Sequence, residues 1–417
     1  EYNDHDSRDL WTYPLQLSPD QVWLLVAHLW ELDNTWFSYF FRTENCSYQM
    51  ISLLEAVHPE LDLLPHRLGA VVPIETIQDA QAVDGLVGEP SVSMALRRQF
   101  ETRVAPLNRQ ARRAVVALQE DAAYPLSESS SLESHAAILD AAVDLIEIHH
   151  PDEILLDDGS PEAAHRQLLL SRRAELGVPS PPLVFSPSSV IDPTEGHGRM
   201  RLGLEGGMDL QGSPYGRLQF RAALHDWADP SEGYPELEQI EFLPTTVRMD
   251  PIAQEVYLEE LTVFRTRSLQ PLSLFHRNLS NSLEGGVIQA ESRGCTTCLG
   301  GRIQTGSGVA LGTPRQALVG YVMGQSSLWG IPLLPGIRGT PLHLGVGGAT
   351  GLRLRITPRA TALLEGEFMY YPWQDPVRSW AAEGSLRWGL GPHMALGVHA
   401  RAGALRSDAG LQIFSYW

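Results

Sequence analysis

The chain of 417 residues contains no lysine, and all 31 of its basic side chains are arginine. This bias indicates a GC-rich bacterial source more than any particular chemistry. Cysteine is also scarce, and three residues in a chain of this length do not build a disulfide framework. Long apolar runs are missing as well, because no stretch approaches about 18 consecutive apolar residues, the length of a transmembrane helix. Any span of a membrane must therefore be made by strands.

A signal peptide is missing from the start of the sequence. The opening run EYNDHDSRDLWTYPL has neither a basic region nor an apolar region of the kind that secretory signals carry. We therefore expect either a cytosolic chain or a processed or truncated form of a longer one.

Charge divides the chain into two unlike halves. Residues 1–200 carry 31 acidic and 13 basic side chains, a net charge of −18, whereas residues 201–417 carry 19 and 18, a net charge of −1. An acidic first half argues against a nucleic-acid partner. At this length we expect two or more domains, or one large domain with an appendage.

The first half predicts an α+β domain followed by helices. In residues 1–92, LSPDQVWLLVAHLWEL begins a helix with Ser18 as N-cap, Pro19 in the first turn and Gln21 at the capping-box position. The aromatic run TWFSYFF, residues 35–41, predicts a buried strand. Residues 93–176 have helical periodicity, and the proline- and serine-rich residues 177–195 predict a linker.

From residue 196 onward the pattern changes to alternation with a period of two. In RLQFRAALH, apolar Leu218 and Phe220 alternate with Arg217 and Arg221, and about a dozen such segments follow one another with mostly short turns. This pattern is typical of a transmembrane β-barrel, and a soluble sandwich or lipocalin-like barrel is the alternative. We predict an antiparallel transmembrane barrel of about 12 strands over residues 196–417.

A barrel of this kind predicts a Gram-negative outer membrane, with residues 1–195 in the periplasm and outer-membrane lipid as a partner. The arginines predicted to face its lumen are Arg217, Arg221, Arg353, Arg355 and Arg401. The aromatic residues near segment ends, expected to form interfacial girdles, are Trp227, Tyr370, Tyr371, Trp373 and Trp388.

Two of the cysteines lie close together in CTTC. In an oxidising periplasm we expect Cys295 and Cys298 to form a local disulfide, with two free thiols or a metal site as alternatives. We expect no resident metal ion and no cofactor.

The third cysteine opens a helical pattern in NCSYQMISLLEAV. Asn45 is a favoured N-cap, so Cys46 is predicted in the first turn, where backbone N–H groups stabilise a thiolate. The alternative is packing, since an apolar face follows helical spacing over Cys46, Met50, Leu53, Leu54 and Val57.

Within residues 7–90, the runs RDLWTYPLQLSPDQVWLLVAHLWEL, WFSYFFRTENCSYQMISLLEAVHPELDL and VVPIETIQ resemble the C-terminal part of the Lnb N-terminal periplasmic domain family. That family is named after a lipoprotein N-acyltransferase. NCSY is also similar to the NC motif of lecithin:retinol acyltransferase and NlpC/P60-like cysteine enzymes. The resemblance implies a partial papain-like or NlpC-like fold, with Cys46 as nucleophile, Asn45 orienting the turn and a lipoprotein or phospholipid as substrate.

The resemblance also implies a catalytic histidine upstream of the cysteine. His5 is the only histidine before the first predicted helix, and its charged, loop-like surroundings make it a weak candidate base. The base is otherwise expected on an N-terminal fragment of the same precursor, because a thiol without a base is a poor catalyst at neutral pH.

Three functions follow from these patterns. The first is a periplasmic cysteine acyltransferase or amidohydrolase anchored in the outer membrane. The second is a catalytically degenerate barrel that binds an envelope protein. The third is a pore or lipid conduit in which the lumen arginines select anions.

Overall fold

The computed structural model describes ten stretches of the chain, namely residues 9–40, 43–63, 71–157, 159–185, 190–289, 299–313, 316–330, 343–372, 378–404 and 406–417. It divides the chain into two compact units, Glu1–Thr194 and Glu195–Trp417. Over the stretches described, no helix combines the length and the apolar character needed to cross a membrane.

The first unit consists mainly of helices. Its elements are β1 (Leu10–Thr12), α1 (Pro19–Glu31), α2 (Cys46–Val57), α3 (Pro73–Ala82), β2 (Ser91–Ser93), α4 (Leu96–Val104), α5 (Arg109–Glu120), α6 (Leu132–His149), α7 (Pro151–Leu156) and α8 (Pro161–Glu175). The short strands β1 and β2 pair in antiparallel fashion.

The predicted capping box of α1 is confirmed. The Ser18 hydroxyl accepts from the Gln21 N–H at 3.3 Å, and the Gln21 side chain accepts from the Ser18 N–H at 2.8 Å. The strand predicted at residues 35–41 is wrong for the residues that the structure describes, 35–40, which hold only an isolated bridge between Phe40 and Glu44. Trp36 is 85% exposed. Aromatic density favours a strand, but a strand also needs a neighbour to pair with.

The helices of residues 93–176 pack around α6. Ala136, Leu139 and Leu145 of α6 are buried against α4, α5 and α8, which contribute large side chains with no exposed surface. Burying each such side chain stabilises the fold by about 1.5–3 kcal/mol. The small alanines of α6 allow these helices to approach closely.

The second unit consists of strands. They are β3 (Arg201–Asp209), β4 (Pro214–Arg221), β5 (Ala223–His225), β6 (Glu238–Phe242), β7 (Thr245–Asp250), β8 (Glu255–Ser268), β9 (Ser280–Gln289), β10 (Leu299–Gly312), β11 (Leu318–Gly330), β12 (His343–Thr357), β13 (Ala360–Tyr370), β14 (Arg378–Gly389), β15 (Met394–Gly403) and β16 (Asp408–Tyr416).

These strands close into a 12-stranded antiparallel barrel, as predicted. β4 pairs with β7 up to Phe220 and Thr245, and β5 pairs with β6 from Ala223 and Phe242 in the same register. β4 and β5 therefore form one interrupted strand of the barrel, and β6 and β7 form another. β8 pairs with β9, and β16 pairs with β3, which completes the ring. Met200 and Trp417 exchange two main-chain hydrogen bonds beside this last pairing. Closure removes the unpaired strand edges that would otherwise promote aggregation.

The two faces of the barrel differ in chemistry. Apolar side chains such as Leu204, Val322 and Leu396 are exposed on the outer face, whereas charged residues of the same strands, such as Glu205, are buried inside. This arrangement is typical of a barrel embedded in a lipid bilayer, because a soluble sandwich would bury its apolar face.

The predicted aromatic girdles need one correction. Tyr370 and Trp388 are exposed near strand ends, but Trp227 and Tyr371 are buried inside the barrel. Trp227 lies in the connection between β5 and β6 and not on a strand, so alternation could not place it. Trp373 lies outside the described residues.

Candidate functional site

A cavity of about 450 Å³ occupies the lumen of the barrel. Because the side chains of a strand alternate between its two faces, every second residue of each strand reaches this space. Eight arginines and nine carboxylate residues line the cavity, together with glutamines, serines and a few aromatic side chains. Both signs of charge are therefore present in nearly equal number.

One group of lumen residues, the Arg217 cluster, joins β3, β4, β7 and β16. The Arg217 guanidinium donates to Glu205 and Asp408 at 2.7 Å each. Tyr215 donates its hydroxyl proton to Glu205 at 2.6 Å, and Arg248 donates to Asp408 at 2.8 Å. Removing one member of a buried set of this kind typically costs about 3–5 kcal/mol, since the partner charge loses its compensation.

Glu205, Asp408 and His399 also form a candidate metal site by distance, with one ligand atom each within 4.8 Å of the others. The Arg217 guanidinium, however, already donates to both carboxylates. A cation would have to displace this positive charge, so the donor set does not fit a resident metal.

A second group, the Arg265 cluster, lies on β8, β9 and β10. Arg265 donates to Glu284 at 3.0 Å and also pairs with Glu260, and Arg302 pairs with Glu284. From the same wall, Arg267 of β8 reaches Glu365 of β13 at 3.1 Å. This ion pair bridges strands that are not neighbours and crosses the lumen.

The third group involves the connection between β5 and β6, residues 226–237, here called the lumen loop. Trp227 and Asp229 are each 2% exposed. The Trp227 ring packs against a cluster from the barrel wall that includes Tyr321, and its carbonyl accepts from Arg353 at 3.3 Å. Trp227 and Ala228 line the cavity, so the lumen loop forms part of the cavity surface.

The five arginines predicted for the lumen lie on inward-facing positions, and each has an acidic partner. Arg217 is described above, and Arg221 pairs with Asp229. Arg401 pairs with Glu383 at 3.1 Å. Arg353 and Arg355 both face Glu236 of the lumen loop. Each of the five therefore has a carboxylate nearby, with Arg353 and Arg355 sharing a single one, and anion selection by these arginines stays a prediction.

The acidic partners of these arginines are not among the residues that the sequence pattern predicts. Glu205 was visible on the polar face of RLGLEGG, but Asp226 and Asp229 fall in HDWADP, where no periodic pattern indicates direction. The signal that could have found them is the match in number between acidic and basic side chains in residues 201–417.

The structure places Cys46 at the first position of α2, as predicted. The Asn45 side chain accepts from the N–H groups of Ser47 and Tyr48 at 3.1 and 3.3 Å and donates to the Val71 carbonyl at 2.7 Å. Asn45 is thus a buried N-cap that also fixes a neighbouring segment. The Cys46 thiol is exposed, and the described residues offer it no hydrogen-bond partner.

The predicted apolar face of α2 is rotated in the structure. The buried residues are Ser47, Ile51, Leu54 and Val57, while Met50 is 64% exposed. Packing therefore does not explain Cys46. The remaining predicted site residues, namely His5, Cys295 and Cys298, lie outside the described residues.

Two family models match the chain. Residues 190–412, more than half of the chain, match a family described as domain of unknown function DUF7840. Residues 1–82 match the Lnb N-terminal periplasmic domain. No curated protein matches the sequence.

Several solved outer-membrane proteins are similar to the barrel. The KdgM porin in complex with disordered oligogalacturonate is 9% identical, with 52% of this chain and 99% of that chain covered and a TM-score of 0.32. An outer membrane channel from Pseudomonas putida F1 is 9% identical, with 53% and 96% covered and a TM-score of 0.33. Omp33 of Acinetobacter baumannii is 11% identical, with 54% and 100% covered and a TM-score of 0.26. Likeness at this level carries no argument about function.

The location follows from the barrel and the family models together. A closed barrel with an apolar outer face belongs in an outer membrane, and the first unit carries a periplasmic domain. The chain therefore belongs to the DUF7840 family, with its barrel in the outer membrane and an Lnb N-terminal periplasmic domain before it.

Proposed function

We propose that the barrel is a passage for small polar solutes across the outer membrane. The observation that carries this proposal is the cavity of about 450 Å³, enclosed by a barrel wall and lined by charged side chains of both signs. Its volume lies in the range of pockets that hold small molecules, about 300–1,000 Å³. A polar solute exchanges hydrogen bonds with such a lining, so it loses little on leaving water.

A lipid conduit fits this lining less well. An acyl chain gains nothing from a lumen of ion pairs, because the hydrophobic effect rewards contact with apolar surface. Crossing would also separate pairs such as Arg267 with Glu365 without replacing their partners.

The charge balance of the lining predicts weak selectivity between cations and anions. Removing negative charge from one wall should make the pore select anions. In the triple variant Glu365→Gln, Glu367→Gln, Glu383→Gln, three of the nine cavity carboxylates are neutralised and the arginines remain. We expect the reversal potential in a salt gradient to shift toward anion selectivity, because the uncompensated arginines attract anions.

This prediction is tested with the full chain in planar lipid bilayers. The control is Asp209→Asn, which neutralises one carboxylate on the last residue of β3, where it accepts from the N–H groups of Gln211 and Ser213. An unchanged reversal potential in the triple variant would count against solute passage through this cavity. So would the absence of current in every form of the chain, including one in which a short glycine linker replaces residues 227–236.

A second proposal concerns the first unit. We propose that Cys46 acts as a nucleophile on lipid or lipoprotein acyl groups, with the histidine supplied from outside the described residues. Its support is the exposed thiol at the capped start of α2, together with the match of residues 1–82 to the Lnb N-terminal periplasmic domain.

This second proposal is tested by labelling with a thiol-reactive ester probe. Wild-type protein should be labelled at Cys46, and Cys46→Ala should lose that label while folding normally. Asn45→Ala should lower the labelling rate, since the cap holds the first turn of α2. Equal labelling of wild type and Cys46→Ala would remove the proposal.

A further inference from the structure

The lumen loop runs from one wall of the barrel to the opposite wall. It leaves the wall at β5 and returns at β6, yet the Ser231 N–H donates to the Pro358 carbonyl at 3.1 Å. Glu232 also meets Arg359 at 2.9 Å. Pro358 and Arg359 form the turn between β12 and β13, which lies six strands away in a ring of twelve. The loop therefore crosses the full width of the lumen.

The root of the lumen loop is held by buried ion pairs. Asp226 accepts from Arg387 at 2.8 and 2.9 Å and also pairs with Arg201. Asp229 pairs with Arg221 and Arg387, accepts from Arg201 at 3.1 Å and accepts the Tyr416 hydroxyl proton at 2.7 Å. The donors come from β3, β4, β14 and β16. Two carboxylates thus tie the loop to four strands.

The far end of the lumen loop is held much more weakly. Its contacts with the β12–β13 turn are hydrogen bonds from Ser231 to one carbonyl and the pair of Glu232 with Arg359, whose side chain is half exposed. An exposed pair of this kind contributes about 0–1 kcal/mol. By charge, the loop is therefore held at its root by the two aspartates and, just before β6, by Glu236, which pairs with Arg353 and Arg355.

The backbone next to the loop is strained. Leu224, in β5 and two residues before the loop, has φ of 72°. Leu243, just after β6, has φ of 53°. Left-handed backbone is unfavourable for leucine, at about 1–3 kcal/mol per residue. One distorted position thus lies within the hairpin that carries the loop, and the other lies between this hairpin and β7.

We infer that the lumen loop is a plug, latched by Asp226 and Asp229, that closes one end of the lumen and opens it when these ion pairs are released. The inference rests on the proposed passage function and adds its regulation. The wild type would then be mostly closed. Displacement of the loop would join the cavity to the space at the β12–β13 end of the barrel.

The first test neutralises the latch. The loop-release variant carries Asp226→Asn and Asp229→Asn, which keep the size of the side chains and remove their charge. Because the loop then loses its ion pairs to the strands, we expect longer channel openings and a several-fold larger mean current in planar bilayers. Asp209→Asn is the control, because it removes one carboxylate charge away from the loop. Heat-dependent mobility on a gel verifies that each variant is a folded barrel.

The second test restores closure without the latch. Ser231→Cys and Pro358→Cys are added to the loop-release variant, with Cys46, Cys295 and Cys298 replaced by serine. Both the N–H and the Oγ of Ser231 donate to the Pro358 carbonyl, at 3.1 and 3.2 Å, so the two residues lie side by side. Oxidation should close the pore, and a reductant should open it again.

The outcomes separate the two proposals. Equal currents in the oxidised and reduced forms would overturn the plug and leave the passage in place. Silence in every variant, including one in which a short glycine linker replaces residues 227–236, would overturn both. Redox-dependent current supports both.

Discussion

At the scale of single residues, Asp144 of α6 is a carboxyl group buried among the helices of the first unit. It is 7% exposed, and Arg103 of α4 donates to it at 2.6 Å. Burial raises the pKa of Asp144 to about 6, although Arg103 acts in the opposite direction. The folded protein therefore binds this proton more tightly than the unfolded chain does.

The sign of the pH dependence follows from this shift. With an ordinary pKa near 3.9 in the unfolded chain, the stabilisation from Asp144 is fully present below about pH 4 and is lost as pH rises through about 6. A difference of about 2 pKa units corresponds to about 3 kcal/mol. We expect Asp144→Asn to lack this dependence, because an amide does not titrate in this range.

Thermal unfolding of the helices, followed by far-UV circular dichroism of the full chain in detergent at about pH 5 and about pH 7.5, measures the effect. The control is Asp152→Asn, on an exposed position of α7. A wild type and an Asp144→Asn variant with the same pH dependence would contradict the assignment.

At the scale of elements, large lumen side chains pack over glycines of adjacent strands. The ring of Tyr321 on β11 covers Gly351 on β12, where an added Cβ would lie 2.5 Å from the ring. The Tyr321 hydroxyl donates to Glu365 at 2.6 Å. The glycine thus makes room for a ring that fills the lumen and ties β11 to β13.

Gly351→Ala should therefore destabilise the barrel. The new methyl group must displace the Tyr321 ring and lengthen its bond to Glu365, and overpacking of this kind costs about 1–3 kcal/mol. Gly206→Ala on β3 is the matched control, because nothing lies within 4 Å of its added Cβ. The denaturant midpoint of the barrel gives the comparison, and equal midpoints would show that the ring relaxes freely.

The sequence predicted these elements unequally. The barrel can be predicted from the sequence because alternation is a local property that each strand displays by itself, as in Arg217 to Arg221. The lumen loop was not, because its contacts, such as Ser231 with Pro358, join positions far apart in the chain. The run at residues 35–40 failed for a related reason, since local composition does not supply a pairing partner.

At the scale of the whole molecule, the two units differ in how they handle charge. Among the described residues, most carboxylates of the first unit are exposed or half-buried, while the barrel pairs its charges inside the lumen. The division at residues 194 and 195 is the change from helical to alternating patterns seen in the sequence. The papain-like or NlpC-like character of the first unit stays a prediction.

Closure of the barrel predicts strict dependence on its last strand. A chain ending after residue 407 lacks β16, which leaves β15 and β3 as open edges in lipid, where each unpaired backbone group costs several kcal/mol. We expect no heat-modifiable folded species from this truncation, whereas full-length Leu411→Val should fold. A folded truncation would show that another pairing closes the ring.

The same strand has a further consequence for biogenesis. β16 brings Asp408 to Arg217 and Arg248, and Tyr416 to Asp229, at the moment when it completes the wall. Until then the nascent sheet carries guanidinium groups without these counter-charges, as well as two unpaired edges. We therefore expect insertion of an incomplete chain to be penalised twice, because the final strand both seals the wall and supplies counter-charges to the interior.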